Sequence, residues 1–149
     1  MALFSKIKQA VQSVTGGGAK VFLTIVTPPS RQQPFHVQVK ALVADADIKP
    51  ARVYVAVESV ETAKVSAFVN NSNQNFTGTA TIFESSFNIA GAQELKAKQE
   101  YTWEGDVQLP PNVLPTYRGR NAQHEWRIKA GLDLPGNDPD SGWTAIEIQ

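Results

Sequence analysis

Between Tyr101 and Leu134 the sequence runs YTWEGDVQLPPNVLPTYRGRNAQHEWRIKAGLDL. Tyr101, Trp103, Val107 and Leu109 alternate with Thr102, Glu104, Asp106 and Gln108. Further on, His124, Trp126, Ile128, Ala130, Leu132 and Leu134 alternate with Gln123, Glu125, Arg127 and Lys129. Successive side chains of an extended chain point to opposite faces, so each run is a strand with one buried side and one solvated side. A parallel sheet is buried on both faces and reads as a continuous apolar run, so this alternation argues for antiparallel pairing. Pro110-Pro111-Asn112 and Leu114-Pro115 separate the two runs, and proline cannot donate to a sheet ladder, so the stretch between them is a connection.

The same period of two extends outward from this block. Phe35, Val37, Val39, Ala41 and Val43 alternate with His36, Gln38 and Lys40, and Val53, Val55 and Val57 alternate with Arg52, Tyr54 and Glu58. Weaker strands fit Lys20–Thr27, Ala63–Val69, Gly78–Ile89 and Trp143–Ile148. Turn residues punctuate them at Pro28-Pro29-Ser30, Asp45 to Pro50, Asn70 to Asn75, Gly91 and Pro135-Gly136-Asn137-Asp138-Pro139. No repeat of fixed period is present, which disfavours a propeller or a solenoid. Several short alternating strands with turns at this spacing predict an all-β, antiparallel, immunoglobulin-like β-sandwich.

The start of the chain has a different period. Leu3, Phe4, Ile7, Ala10, Val11 and Val14 recur at steps of three and four, with Lys6, Lys8, Gln9, Gln12 and Ser13 opposite them. This pattern predicts a short amphipathic helix over residues 1–15. A glycine linker over 16–19 follows, then a single sandwich domain over 20–149.

Composition narrows the function classes. The chain has 149 residues, 14 Lys+Arg against 14 Asp+Glu, and no cysteine. That length suits one domain, large enough to hold together without a metal or disulfide. Without cysteine there is no thiolate nucleophile and no Cys-based zinc site. Charge balance gives no basis for general nucleic-acid binding. The apolar runs are far shorter than the ~20 residues of a membrane-spanning helix, and the start lacks a secretory-signal pattern. The expected compartment is the cytoplasm.

Leu109-Pro110, Leu114-Pro115-Thr116-Tyr117, Gly119 and Trp126-Arg127-Ile128 together resemble the block of Leu-Pro, Leu-Pro-Ser-Tyr/Phe, Gly and Tyr-x-Ile elements in arrestin-like amino-terminal domains. Thr116 stands where serine is usual and Trp126 where tyrosine is usual. The opening Leu3-Phe4-Ser5-Lys6-Ile7-Lys8, leading to Gly16-Gly17-Gly18-Ala19-Lys20-Val21, is similar to the start of the bacterial sporulation-control proteins, an arrestin-like family. The resemblance implies an arrestin-like sandwich that acts as a non-enzymatic adaptor or scaffold. Those families have two sandwich lobes, and 149 residues suffice for one. A homo-oligomer, or a separately encoded partner supplying a second lobe, would complete such an arrangement.

Candidate chemistry is sparse. His36 and His124 are the only imidazoles, and neither lies near a Gly-x-Ser-x-Gly elbow or a carboxylate at motif spacing, so no catalytic residue is assigned. Asp133, Asp138 and Asp140 carry oxygen ligands but sit in a turn built of residues that turns prefer, and Asp45 and Asp47 read the same way. Gly16-Gly17-Gly18 lacks the Lys-Ser/Thr of a phosphate loop. No cofactor or metal is assigned.

Two interaction surfaces are nominated instead. One is the apolar stripe of Leu3, Phe4, Ile7, Val11 and Val14, which packs on its own sandwich, on a protein partner or second copy, or on a membrane surface. The other is the basic group Arg118, Arg120, Arg127 and Lys129, either a patch for an anionic partner or an ordinary mixed-charge strand face. An exposed sheet edge offers a third mode, with Lys20–Thr27 as its candidate strand. A small-ligand or carbohydrate-binding sandwich is the alternative function, resting on Tyr54, Tyr117 and Trp143 as stacking rings. The main expectation is a protein-interaction module that binds a protein partner or itself.

Overall fold

In the computed structural model, residues 17–149 and the strand residues Val11–Gln12 are described. Nine strands carry the fold: β1 (Val11–Gln12), β2 (Ala19–Ile25), β3 (Phe35–Val43), β4 (Val53–Val69), β5 (Ser72–Ala90), β6 (Glu100–Val107), β7 (Tyr117–Arg118), β8 (Ala122–Leu132) and β9 (Thr144–Ile146). They form two antiparallel sheets, one ordered β1-β2-β3-β6 and the other β5-β4-β8-β7, with β9 also paired to β8. The all-β antiparallel sandwich expected from the alternation is the observed architecture.

Alternation builds the core directly. On β3, Phe35, Val37, Val39, Ala41 and Val43 are buried, while the residues between them are half-exposed. Val53, Val55 and Val57 on β4 and Trp126, Ile128, Ala130 and Leu132 on β8 face them from the second sheet. Burial of a side chain of this size stabilises by roughly 1.5–3 kcal/mol, against about 0.2–1 kcal/mol for an exposed ion pair. The inward faces therefore set the register, and the many surface salt bridges follow from it.

The first segment differs from expectation where it is described. Val11 and Gln12, inside the expected helix, form a strand opposite Leu23 and Phe22 of β2. β2 would otherwise present an unpaired row of N–H and C=O groups, which an added strand satisfies. Residues 1–10 and 13–16, with the rest of the helix and Gly16 of the linker, lie outside the described residues. Lys20–Thr27 becomes Ala19–Ile25, and β1 pairs with it at Phe22 and Leu23 alone, so the rest of its outer side carries no partner strand among the described residues.

The largest difference lies in the middle. Val53–Val57 and Ala63–Val69 are one continuous strand of 17 residues, and β5 spans 19 residues. The expected polar turn at Asn70–Asn75 shrinks to Asn70-Asn71, with φ of 51° and 63°. Two consecutive left-handed residues make the tight two-residue connection whose twist matches a hairpin, and asparagine tolerates that region.

Candidate interaction site at the ribbon end

β4 pairs with β8 from Val53↔Leu132 as far as Ala63↔Ala122, then continues with β5 alone. After a last bond from the Lys64 amide to the Asn121 carbonyl at 2.7 Å, the hairpin from Lys64 to Thr77 is thus a two-stranded ribbon leaving the sandwich. The six residues Lys64–Val69 carry it about 20 Å outward at ~3.3 Å per residue. The register shift between Ser59 and Val60 marks its base: Ser59 opposes Phe83 and Val60 opposes Thr81, so Ile82 is the extra residue of a bulge. Bulges strengthen twist and re-aim a strand, which suits the point where the ribbon departs.

The ribbon continues the sheet's inward face past the core. Val53, Val55, Val57 and Ser59 on that face are buried, whereas Ala63, Val65 and Val69 are exposed. Val65 stands directly opposite Phe76, and they are 59% and 50% exposed. Phe68, on the other face, is 70% exposed. Leu114 and Tyr117 lie beside the ribbon base, since Tyr117 pairs with His124 and His124 pairs with Glu61. Among the described residues, every exposed large apolar side chain except Trp143 belongs to this end. Concentration of apolar surface at one end is the usual mark of an interaction site.

The connection between β6 and β7, which holds the Leu-Pro elements, closes the sandwich at the same end. His124 is 2% exposed, with Nδ1 2.9 Å from the Pro115 carbonyl and Nε2 2.9 Å from Ser59 Oγ. A carbonyl only accepts, so the ring donates from Nδ1, and Nε2 shares a hydrogen bond with the Ser59 hydroxyl. Trp126 Nε1 donates to the Leu114 carbonyl at 2.9 Å, and Thr116 Oγ1 accepts from the Ile148 amide at 2.8 Å. Arg31 Nη1 adds a bond to the Val113 carbonyl at 3.0 Å. Threonine in the serine place and tryptophan in the tyrosine place both keep a hydrogen-bonding atom where this loop is anchored.

Between this loop and the ribbon base lies an open cleft of about 360 Å³, lined by Phe83, Ile82, Pro110, Val113, Leu114 and Trp126, with Ser59 and His124 at its floor. A serine–histidine pair invites a nucleophilic reading. However, Ser59 is 0% exposed, and a reacting carbonyl carbon must come within about 3–3.5 Å of its oxygen. No carboxylate orients His124; a loop carbonyl does. The pair therefore ties β8, β4 and the loop together. Its 65-residue separation in sequence hid it from motif reading.

The nominated basic residues are placed on one sheet but are largely engaged. Arg118 makes paired bonds to Glu125 (2.8 and 2.9 Å) and reaches Glu147 at 2.7 Å, and these two carboxylates raise its already high pKa further. Arg127 binds Glu58 at 2.7 Å and lies 4.6 Å from the Trp143 ring centre. Lys129 lies over the same ring at 4.9 Å and 3.6 Å from Asp140. Arg120 lines a small polar recess with Lys64 and Asn121. Leu3, Phe4 and Ile7, with Val14, lie outside the described residues, and Val11 is described only as part of β1.

The stacking rings divide. Tyr54 is 8% exposed and donates to Asp138 at 2.8 Å; burial, then that bond, pushes its hydroxyl pKa up. The Trp143 ring is occupied by two cations. Only Tyr117, 52% exposed, is free to stack. Among the described residues no helix is long and apolar enough to cross a membrane.

No protein-family model matches the chain. No curated protein matches it in sequence. Among solved structures it is similar to Spo0M, the sporulation control protein from Bacillus subtilis, with a TM-score of 0.61 and 17% sequence identity. The match covers 90% of this chain and 50% of that one, so the chain spans about half the length of Spo0M. At this identity the likeness establishes the fold.

Proposed function

We propose that this chain is a non-catalytic, arrestin-like protein-interaction module that receives a polypeptide at the ribbon end. The observation that carries the reading is the projecting β4–β5 ribbon, which holds Val65, Phe68 and Phe76 in solvent beside a cleft of about 360 Å³. Exposing three such side chains forfeits several kcal/mol of burial, which a binding partner recovers. The cleft, lined by Phe83, Val113, Leu114 and Trp126, suits one apolar or aromatic anchor, since interfaces draw most of their energy from a few well-packed side chains. The rigid sandwich beneath fixes both features in place.

The test is photocrosslinking from position 68 in an extract of the source cells, with a photoreactive phenylalanine replacing Phe68. Adducts to a defined polypeptide, including a second copy of the chain, that disappear in Val65→Ser/Phe76→Ser support the reading. Absence of any polypeptide adduct overturns it. A small-ligand site is the second reading, because about 360 Å³ also lies within the range of small-molecule pockets. Sugar stacking, by contrast, has lost Tyr54 to burial and Trp143 to its cations.

A further inference from the structure

We infer that the free edge of β5, from Ser72 to Phe83, pairs antiparallel with the same edge of a second copy of this chain. The inference rests on the interaction reading above and names its partner. Among the described residues β5 hydrogen-bonds to β4 alone, and Ser72–Ile82 is exposed throughout. β6 approaches the strand further down, where Gly105 meets Ile89, leaving the upper edge open.

Natural sheets shield an open edge with lysine, proline, a short strand or an inward charge. Over twelve residues Ser72–Phe83 contains no Asp, Glu, Lys, Arg or Pro, and its one bulge, at Ile82, lies at the base of the edge and leaves Ser72–Thr81 regular. Self-pairing explains that composition. Pairing about a two-fold axis places each residue near its own counterpart, and like charges directly opposite destabilise a sheet. A strand that pairs with itself is therefore best uncharged, whereas an edge meant for a charged partner would carry the complementary sign.

The ribbon's own stability points the same way. Beyond Ala63 it has two strands, and an isolated two-stranded hairpin is marginal in water, while three or more strands are not. Edge pairing turns two strands into four. It also joins the exposed faces holding Val65 and Phe76 across the axis. An edge of twelve residues is about 40 Å long, and with side chains on both faces it buries roughly 1,200 Å² in total, the lower range of stable interfaces.

Sedimentation equilibrium of the full-length chain, from micromolar to several hundred micromolar, tests the pairing. The expected result is a monomer–dimer equilibrium. Asn73→Lys/Thr79→Lys, which places positive charge along the edge, should raise the dimer Kd at least tenfold, and Asn73→Glu/Thr79→Glu should do the same. Mixing the two variants should restore a heterodimer, which a merely misfolded variant cannot do. A monomer at every concentration overturns the inference, as does a dimer indifferent to both variants, an open ladder of larger species, or failure of the mixture to pair. If the chain is monomeric while Phe68 crosslinks to another polypeptide, self-pairing fails and the interaction reading stands. If no polypeptide crosslinks either, both fail.

Discussion

His124 shows how one residue anchors the ribbon end. Its ring bonds Ser59 and the Pro115 carbonyl at 2.9 Å each and packs edge-on against Trp126, with ring centres 5.5 Å apart. His124→Ala leaves a buried hydroxyl and carbonyl without a partner and opens a void, a loss of about 2–4 kcal/mol in urea unfolding. Ser59→Ala removes one bond and should cost about 1 kcal/mol. His36 offers a pH-dependent counterpart on the other sheet. Asp106, 2.8 Å from its Nδ1, and Glu104, 3.4 Å from its Nε2, raise its pKa above 6.5, with the Asp106 hydrogen bond the largest cause. A raised folded-state value means the stabilisation is fully present below the unfolded value and is lost as pH rises through the folded one. The stability gap between wild type and His36→Gln should therefore shrink from pH 5.5 to pH 8. The surface pair is worth under about 1 kcal/mol, so a gap that widens over that range contradicts the assignment. In the sequence, the alternation of His124 with Trp126 revealed its inward face, but not Ser59, because pairing across strands depends on register.

At the scale of elements, legibility followed the number of buried faces. β3 and β8 alternate because one side of each is core, and their limits were readable to within two residues. The ribbon has no buried side, so its composition carries no period. Asn70, Asn71, Asn73, Gln74 and Asn75 look like a loop, although only the first two turn. The short strand that meets β2 at Phe22 and Leu23 was hidden for a related reason: it lies within a segment whose spacing is helical. Gly131 shows what alternation also hides. It lies across from Tyr54, and a Cβ there would sit 2.5 Å from the Tyr54 hydroxyl oxygen. Gly131→Ala should displace the ring, break the Tyr54–Asp138 bond and cost about 2–3 kcal/mol. Tyr54→Ala should make the same glycine change far cheaper, a non-additivity that a double-mutant cycle reads directly. Additive losses would show that the ring does not constrain position 131.

At the scale of the whole molecule, the buried core and the exposed apolar ribbon occupy different parts of the chain. The core ends at the level of Ser59, His124 and Trp126, where buried side chains give way to exposed ones on both ribbon strands. Excising residues 64–77 and joining Ala63 to Gly78 through Asn-Gly removes no core residue and preserves the pairing of Thr62 with Thr79. Asn-Gly supplies the two left-handed residues that such a turn needs. The shortened chain should fold with a thermal midpoint within a few degrees of the full chain, because a lone two-stranded ribbon adds little net stability. It should also lose self-association, since most of the edge from Ser72 to Phe83 is removed with the excised strands. A chain that no longer folds would place the ribbon among the determinants of the sandwich, and Val65 and Phe76 would then be read as structural. A chain that folds and still associates would move the interaction surface to the remaining sandwich, where Ile82, Leu114 and Tyr117 are the exposed apolar residues at the same end. The excision thus separates a scaffold that carries an interaction element from a scaffold that merely has a long hairpin.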